Sequence, residues 1–234
     1  MLNAVFSGKK RGTGLQSQQT ALELAEGAED VLTATVFERL AYLPETLLCA
    51  ILADVLGVSF GALEVIEFWP SWYLDKDKRV EPDLLLGDGH YRVLVEAKRH
   101  DHVRQQRPDQ LANELLAGWR ENYLGDNCIL LALGGLDDST EVGRQRLLVE
   151  VLRLLPVGSE ARFRLVCCSW QQLYQTIQTH INPEAPLGCQ RLLDDIAKSY
   201  AWHGLRTHPM RWLGNLRPAT LNLHPGAFDA WSIK

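Results

Sequence analysis

The stretch VEPDLLLGDGHYRVLVEAK, residues 80–98, decides how this chain folds. Its second half, YRVLVEAK (91–98), alternates apolar and polar side chains, the period of a strand with one face on a core. Residues two apart share a face, so Glu96 and Lys98 project together while Val93, Val95 and Ala97 point into apolar packing. The first half is a short apolar run, and Gly87-Asp88-Gly89 between the halves predicts a hairpin turn. In an antiparallel hairpin the start of one strand lies beside the end of the other, which brings Asp83 next to Glu96 on strands about 4.8 Å apart. Two ionised carboxylates at that spacing repel each other unless a cation sits between them. Mg²⁺ fits, because it prefers carboxylate and carbonyl oxygens and keeps several waters. Lys98 adds a positive charge at the same spot, able to orient or help deprotonate a water and to neutralise charge on a phosphate.

Upstream, residues 17–56 read as helical. Leu22 and Leu24 precede a break at Gly27; Leu32, Val36, Leu40 and Leu43 recur at three- and four-residue spacing, and Pro44 starts a further helix through Leu56. LEVIEFW (63–69) reads as a strand. Downstream come a helix over 109–123 with Leu111, Leu115 and Trp119 on one face, the buried strand NCILLALGG, a helix over 139–155, the strand ARFRLVCCSW, and the helices QQLYQTIQTH and GCQRLLDDIAKSYAWHG. Strands alternating with helices predict an α/β fold, a central mixed β-sheet flanked by helices with a helical N-terminal layer. The expected organisation is a flexible arm over 1–16 carrying Lys9, Lys10 and Arg11, a domain over 17–203, and an irregular tail over 204–234 with Pro209, Trp212, Pro218, Pro225 and Trp231.

Composition limits the alternatives. With 234 residues, 46% hydrophobic and 23% charged, the chain has enough material for one substantial core and does not have a disordered composition. The net charge of −5 rules out a global basic field, so contact with nucleic acid depends on a local cationic patch or a bound metal. Five cysteines without a CxxC pair, most of them in apolar runs, read as buried free thiols of a reducing compartment. No apolar run approaches the roughly 20 residues of a membrane span, and the N-terminal order of apolar then basic residues is the reverse of a secretory signal; a cytoplasmic protein is expected.

Glu81-Pro82-Asp83 followed by Glu96-Ala97-Lys98 resembles the bipartite motif of the PD-(D/E)XK, or restriction-endonuclease-like, nucleases. The helical lead-in, the strand before Asp83, the hairpin joining the motif halves, a helix and a buried strand follow the order that such a fold has, over roughly residues 29–175. The resemblance implies Asp83 and Glu96 as metal ligands, the backbone carbonyl of Ala97 as a third, and Lys98 as the residue assisting the attacking water. Many members place a glutamate on the helix before the sheet. Within GAEDVLTATVFERL, Glu29 is preferred to Glu38, because it continues the stripe of Leu32, Val36 and Leu40. Gln110 resembles a glutamine that the family often carries on the helix after the motif; a plain helix-start glutamine is the equal alternative. VFERLAYLP and CCSWQQLYQ also resemble, more loosely, family members from bacterial anti-phage and mobile-element systems.

KRHDHVRQQR (98–107) gathers Lys98, Arg99, Arg104 and Arg107 with His100 and His102 against Asp101 alone. It reads as a lip for a phosphate backbone, against the alternative of a solvated loop. His100 and His102 are read as surface histidines, Gly134-Gly135 as a strand-end turn, and Ser169 as a helix cap. The aromatic group Phe68, Trp69, Trp72 and Tyr73 fits base stacking and core packing equally. The expectation is a Mg²⁺-dependent nuclease, accepting Mn²⁺, acting on DNA in preference to RNA as an endonuclease. With no helix-turn-helix reader in the sequence, a protein partner is expected to supply target choice. The alternatives are a non-catalytic nuclease-fold subunit that binds a larger protein, and an acidic regulator occupying a nucleic-acid-binding partner. Oligomeric state is left open.

Overall fold

The computed structural model describes residues 28–208. The expected arm over 1–16, the residues Leu22, Leu24 and Gly27, and the tail residues Pro209, Trp212, Pro218, Pro225 and Trp231 lie outside them. The elements run α1 (Ala28–Ala41), α2 (Glu45–Leu56), β1 (Val65–Phe68), β2 (Trp72–Tyr73), β3 (Arg79–Val80), β4 (Leu84–Gly87), β5 (Arg92–Ala97), α3 (Pro108–Arg120), β6 (Cys128–Leu133), α4 (Glu141–Leu152), a 3₁₀ turn (Ser159–Ala161), β7 (Phe163–Cys168), α5 (Trp170–His180) and α6 (Leu187–Trp202).

Five strands form the central sheet in the order β1-β4-β5-β6-β7. The first three are antiparallel, whereas β5, β6 and β7 run parallel, so the sheet is mixed, as expected. Strand alternation divides the core into two layers. Leu84, Leu86, Val93, Val95, Ala97, Ile129, Leu131 and Leu133 pack with α1, α2, α5 and α6. Leu85, Leu94, Leu130, Ala132 and Leu165 pack on the other side with α3, α4 and the β2-β3 ribbon. The stripe of Leu32, Val36, Leu40 and Leu43 is buried throughout.

Where the sequence reading runs one strand from Val80 through Asp83, the structure has two elements. Val80 pairs with Trp72 in the small ribbon, and β4 starts only at Leu84. Pro82 lies at the break; it has no N–H to give to a ladder. Trp72 and Trp69 of the aromatic group are buried and Tyr73 is half exposed, which favours core packing over a stacking platform. All five cysteines are free thiols. Among the described residues, no helix is long and apolar enough to cross a membrane.

Candidate metal centre

The β4-β5 register sets the site. Leu84 pairs with Val95, which puts Asp83 beside Glu96 one position further on. Asp83 is buried, and its Oδ2 accepts the backbone N–H of Ala97 at 2.8 Å. Glu96 is also buried, on the face of β5 turned toward α3. Its Oε1 accepts from Lys98 Nζ and, at 2.6 Å, from Gln110 Nε2. The Lys98 ammonium also donates to Glu29 Oε1 at 3.2 Å, while Glu29 Oε2 takes the backbone N–H of Arg99 at 2.9 Å. Asp83, Glu96, Ala97, Lys98, Glu29 and Gln110, selected from the sequence, therefore meet at the end of β5.

Electrostatics follow from burial. Desolvation, reinforced by the charge of Glu96, holds the Asp83 carboxyl well above the ordinary carboxylate range, against the pull of Lys98 and the Ala97 N–H. Burial and the neighbouring Glu114 push Glu96 up to about 8, with Lys98 opposing. Burial also disfavours the charged form of Lys98, but Glu96 and Glu29 outweigh it, and the ammonium is held above its ordinary value. One oxygen, Glu96 Oε2, is buried without a hydrogen-bond partner. A buried carboxylate oxygen in that state costs free energy until a proton or a cation reaches it.

That orphaned oxygen tests whether the residues suit a divalent ion, and they do. Two carboxylates and a nearby backbone carbonyl are hard oxygen donors, the sparse set that a hydrated Mg²⁺ accepts. Among the described residues, no group of three or more His, Cys, Asp or Glu is gathered as a metal cage.

The loop after β5 is anchored rather than loose. Trp170 Nε1 donates to the Lys98 carbonyl at 2.7 Å. Gly135 takes the N–H of Gln105 and gives its own to His100. Gly134 has φ +65° and a Cβ there would lie 2.2 Å from the Lys98 carbonyl oxygen, so only glycine fits the strand-end turn. Of the cationic lip, Arg104 pairs with Glu150 and Arg107 with Asp109 at 2.6 Å. Arg99 lies beside the buried ring of His203, which burial and the Arg99 charge push down to about 4. Ser169 caps α5 as expected, in a reciprocal box with Gln172.

Three residues to which the sequence reading gives no role matter here. Gln106 is buried and donates to the carbonyls of Glu96 and Gly134 at 3.0 and 3.1 Å, stapling β5 to the turn after β6. Nothing local in the sequence marks it. Asp101, the single acid in a basic run, accepts the amide N–H groups of Trp170 and Gln171 at 2.9 and 3.1 Å and caps α5 from outside the helix. Glu114 lies four residues beyond Gln110, hence on the same helix face, and that spacing was the available signal. Its Oε1 accepts from Gln110 Nε2 at 3.0 Å, and burial pushes it up to about 8.

No protein-family model matches the chain, and no solved structure matches it. The chain is 38% identical over 221 residues to the uncharacterized protein PM0110 of Pasteurella multocida, a match covering 93% of this chain and 85% of that protein. It belongs to the same family as that protein.

Proposed function

We propose that the protein is a Mg²⁺-dependent nuclease of the PD-(D/E)XK type, accepting Mn²⁺ and cutting DNA in preference to RNA. The observation that carries this reading is the convergence of Asp83, Glu96 and Lys98 at one strand end, with Glu29 and Gln110 supporting them and Glu96 Oε2 left without a partner. The order of a strand, the β4-β5 hairpin, α3 and the buried strand β6 supports the reading, since the resemblance leads one to expect that order of elements. Asp83, Glu96 and the Ala97 carbonyl would hold the ion. When bound, Mg²⁺ supplies Lewis acidity and charge neutralisation at a phosphoryl oxygen. Gln110 and Lys98 fix the Glu96 carboxylate from two directions. Lys98, kept charged between Glu96 and Glu29, acts as a fixed positive charge toward a phosphate rather than as a proton acceptor. Among the described residues Arg104 and Arg107 are ion-paired with carboxylates and the Arg99 side chain is not, so Arg99 is the first candidate to meet a nucleic-acid backbone. The free thiols suit a cytoplasmic location, and a bacterial defence or mobile-element assembly, with a partner choosing the target, fits the looser resemblance.

The test is cleavage of labelled linear DNA, circular DNA and RNA with Mg²⁺ or Mn²⁺. Wild type cuts and Lys98→Ala and a chelator control do not; opening of the circle identifies an endonuclease. A second reading, a non-catalytic nuclease-fold subunit that binds a larger protein, draws on the pairing of Arg104 and Arg107 with acids, which leaves the lip less cationic than its sequence. It expects no cleavage under any of these conditions.

A further inference from the structure

We propose that Arg99 and His203 form a phosphate seat beside the centre, which holds a second, non-reacting phosphate of the bound nucleic-acid strand. The inference rests on the nuclease reading above and adds to it His203, a residue from the far end of the domain and outside the bipartite motif.

Two packing relations bring the pair together. The backbone N–H of Arg99 donates to Glu29 Oε2, on the same carboxylate that takes the Lys98 ammonium, so the Arg99 side chain leaves the backbone at the edge of the centre. Helix α6 packs on α1, which carries Glu29, and His203 is the C-cap residue of α6. Arg99 is the charged neighbour of its ring.

What these two side chains lack is an acceptor. His203 is only 3% exposed, yet among the described residues neither Nδ1 nor Nε2 has a hydrogen-bond partner, and the buried Nε–H of Arg99 has none either. Each buried polar group left unmet costs free energy, and an apolar ring would fill the same space without that cost. The positive charge of Arg99 turns a cation away, so the missing partner is an anion. One phosphate oxygen accepts from a guanidinium and an imidazole N–H together, and phosphate oxygens are the acceptors that a nucleic-acid backbone presents. Trp202 forms the outer wall of the seat. Its indole stands edge-on to the His203 ring at 4.6 Å between centroids and is 61% exposed, so the side chain covering the imidazole faces solvent and is free to turn aside.

The test is fluorescence anisotropy of short labelled DNA, single-stranded and duplex, binding to the full-length chain with Ca²⁺ in place of Mg²⁺ over a series of salt concentrations, the probe being checked intact on a gel. Arg99→Ala binds more weakly and lowers the salt slope by about one. His203→Phe keeps the ring and removes its nitrogens; it binds about tenfold more weakly with the salt slope unchanged, and its Tm is no lower than that of wild type. In the double variant the two losses combine to less than their product, because both donors meet one phosphate. A purely structural His203 would move Tm and leave affinity alone. The inference is overturned if His203→Phe binds DNA as tightly as wild type, or if the two losses multiply. If His203→Phe does not fold, Arg99→Lys decides: it keeps the charge and loses the Nε–H, so weaker binding at an unchanged slope supports the seat and unchanged affinity overturns it. When wild type cuts DNA but His203→Phe binds as wild type does, the inference falls and the nuclease reading stands. Wild type that binds no DNA overturns the inference, and the nuclease reading falls with it if the same chain also cuts none with Mg²⁺.

Discussion

Replacing Glu96 by Gln tests the electrostatics of the site in the metal-free protein without any assay of activity. An unfolded glutamate titrates near 4.5, whereas folded Glu96 is pushed up to about 8 by burial and Glu114. Between those values the unfolded chain has released the proton that the folded chain keeps, so folding takes up a proton and stability falls as pH rises. One such proton changes stability by about 1.4 kcal/mol per pH unit, or about 3 kcal/mol between pH 5 and pH 7. Glutamine has no proton to lose. Glu96→Gln also alters the contact with Lys98 Nζ, an offset of nearly constant size over that range, so the signal is the change in the difference between the two proteins. Relative to wild type, the variant gains about 3 kcal/mol from pH 5 to pH 7 in urea unfolding with chelator present. A difference that stays constant over that range refutes the reasoning, because Glu96 would then carry the same protonation folded and unfolded. Saturating Mg²⁺ should flatten the wild-type curve and leave the variant unaffected.

Gly134→Ala places a methyl group 2.2 Å from the Lys98 carbonyl oxygen at φ +65°, and should cost about 2–4 kcal/mol in urea unfolding while displacing Lys98 enough to weaken any cleavage. Asp101→Ala removes the external cap of α5 and should cost about 1–2 kcal/mol by the same measurement, with a rise in hydrogen exchange at Trp170 and Gln171. Mg²⁺ at about a hundred times its Kd should stabilise the wild type by about 2.7 kcal/mol, seen as a higher Tm, and should leave Asp83→Asn unchanged.

The sequence by itself determined the parts of this protein that rest on short-range periodicity. Alternation in YRVLVEAK put Glu96 and Lys98 on one face, and the hairpin turn brought Asp83 to Glu96, because strand geometry repeats every two residues and a short turn leaves little choice of register. The three- and four-residue spacing from Glu29 to Leu40 likewise selected the glutamate that reaches Lys98. Tertiary structure alone decided the rest. The split of β3 from β4 at Pro82 depends on a ribbon partner that lies outside the local pattern. Arg104 and Arg107 look like free cations in a basic run until folding brings Glu150 to the first and the start of α3 orients Asp109 toward the second. Asp101 and Gln106 act on residues 69 and 28 positions away, and no local period encodes contacts at that range. Burial is what raises the proton affinity of an ordinary helical glutamate such as Glu114, and burial exists only once α3 has docked on the sheet.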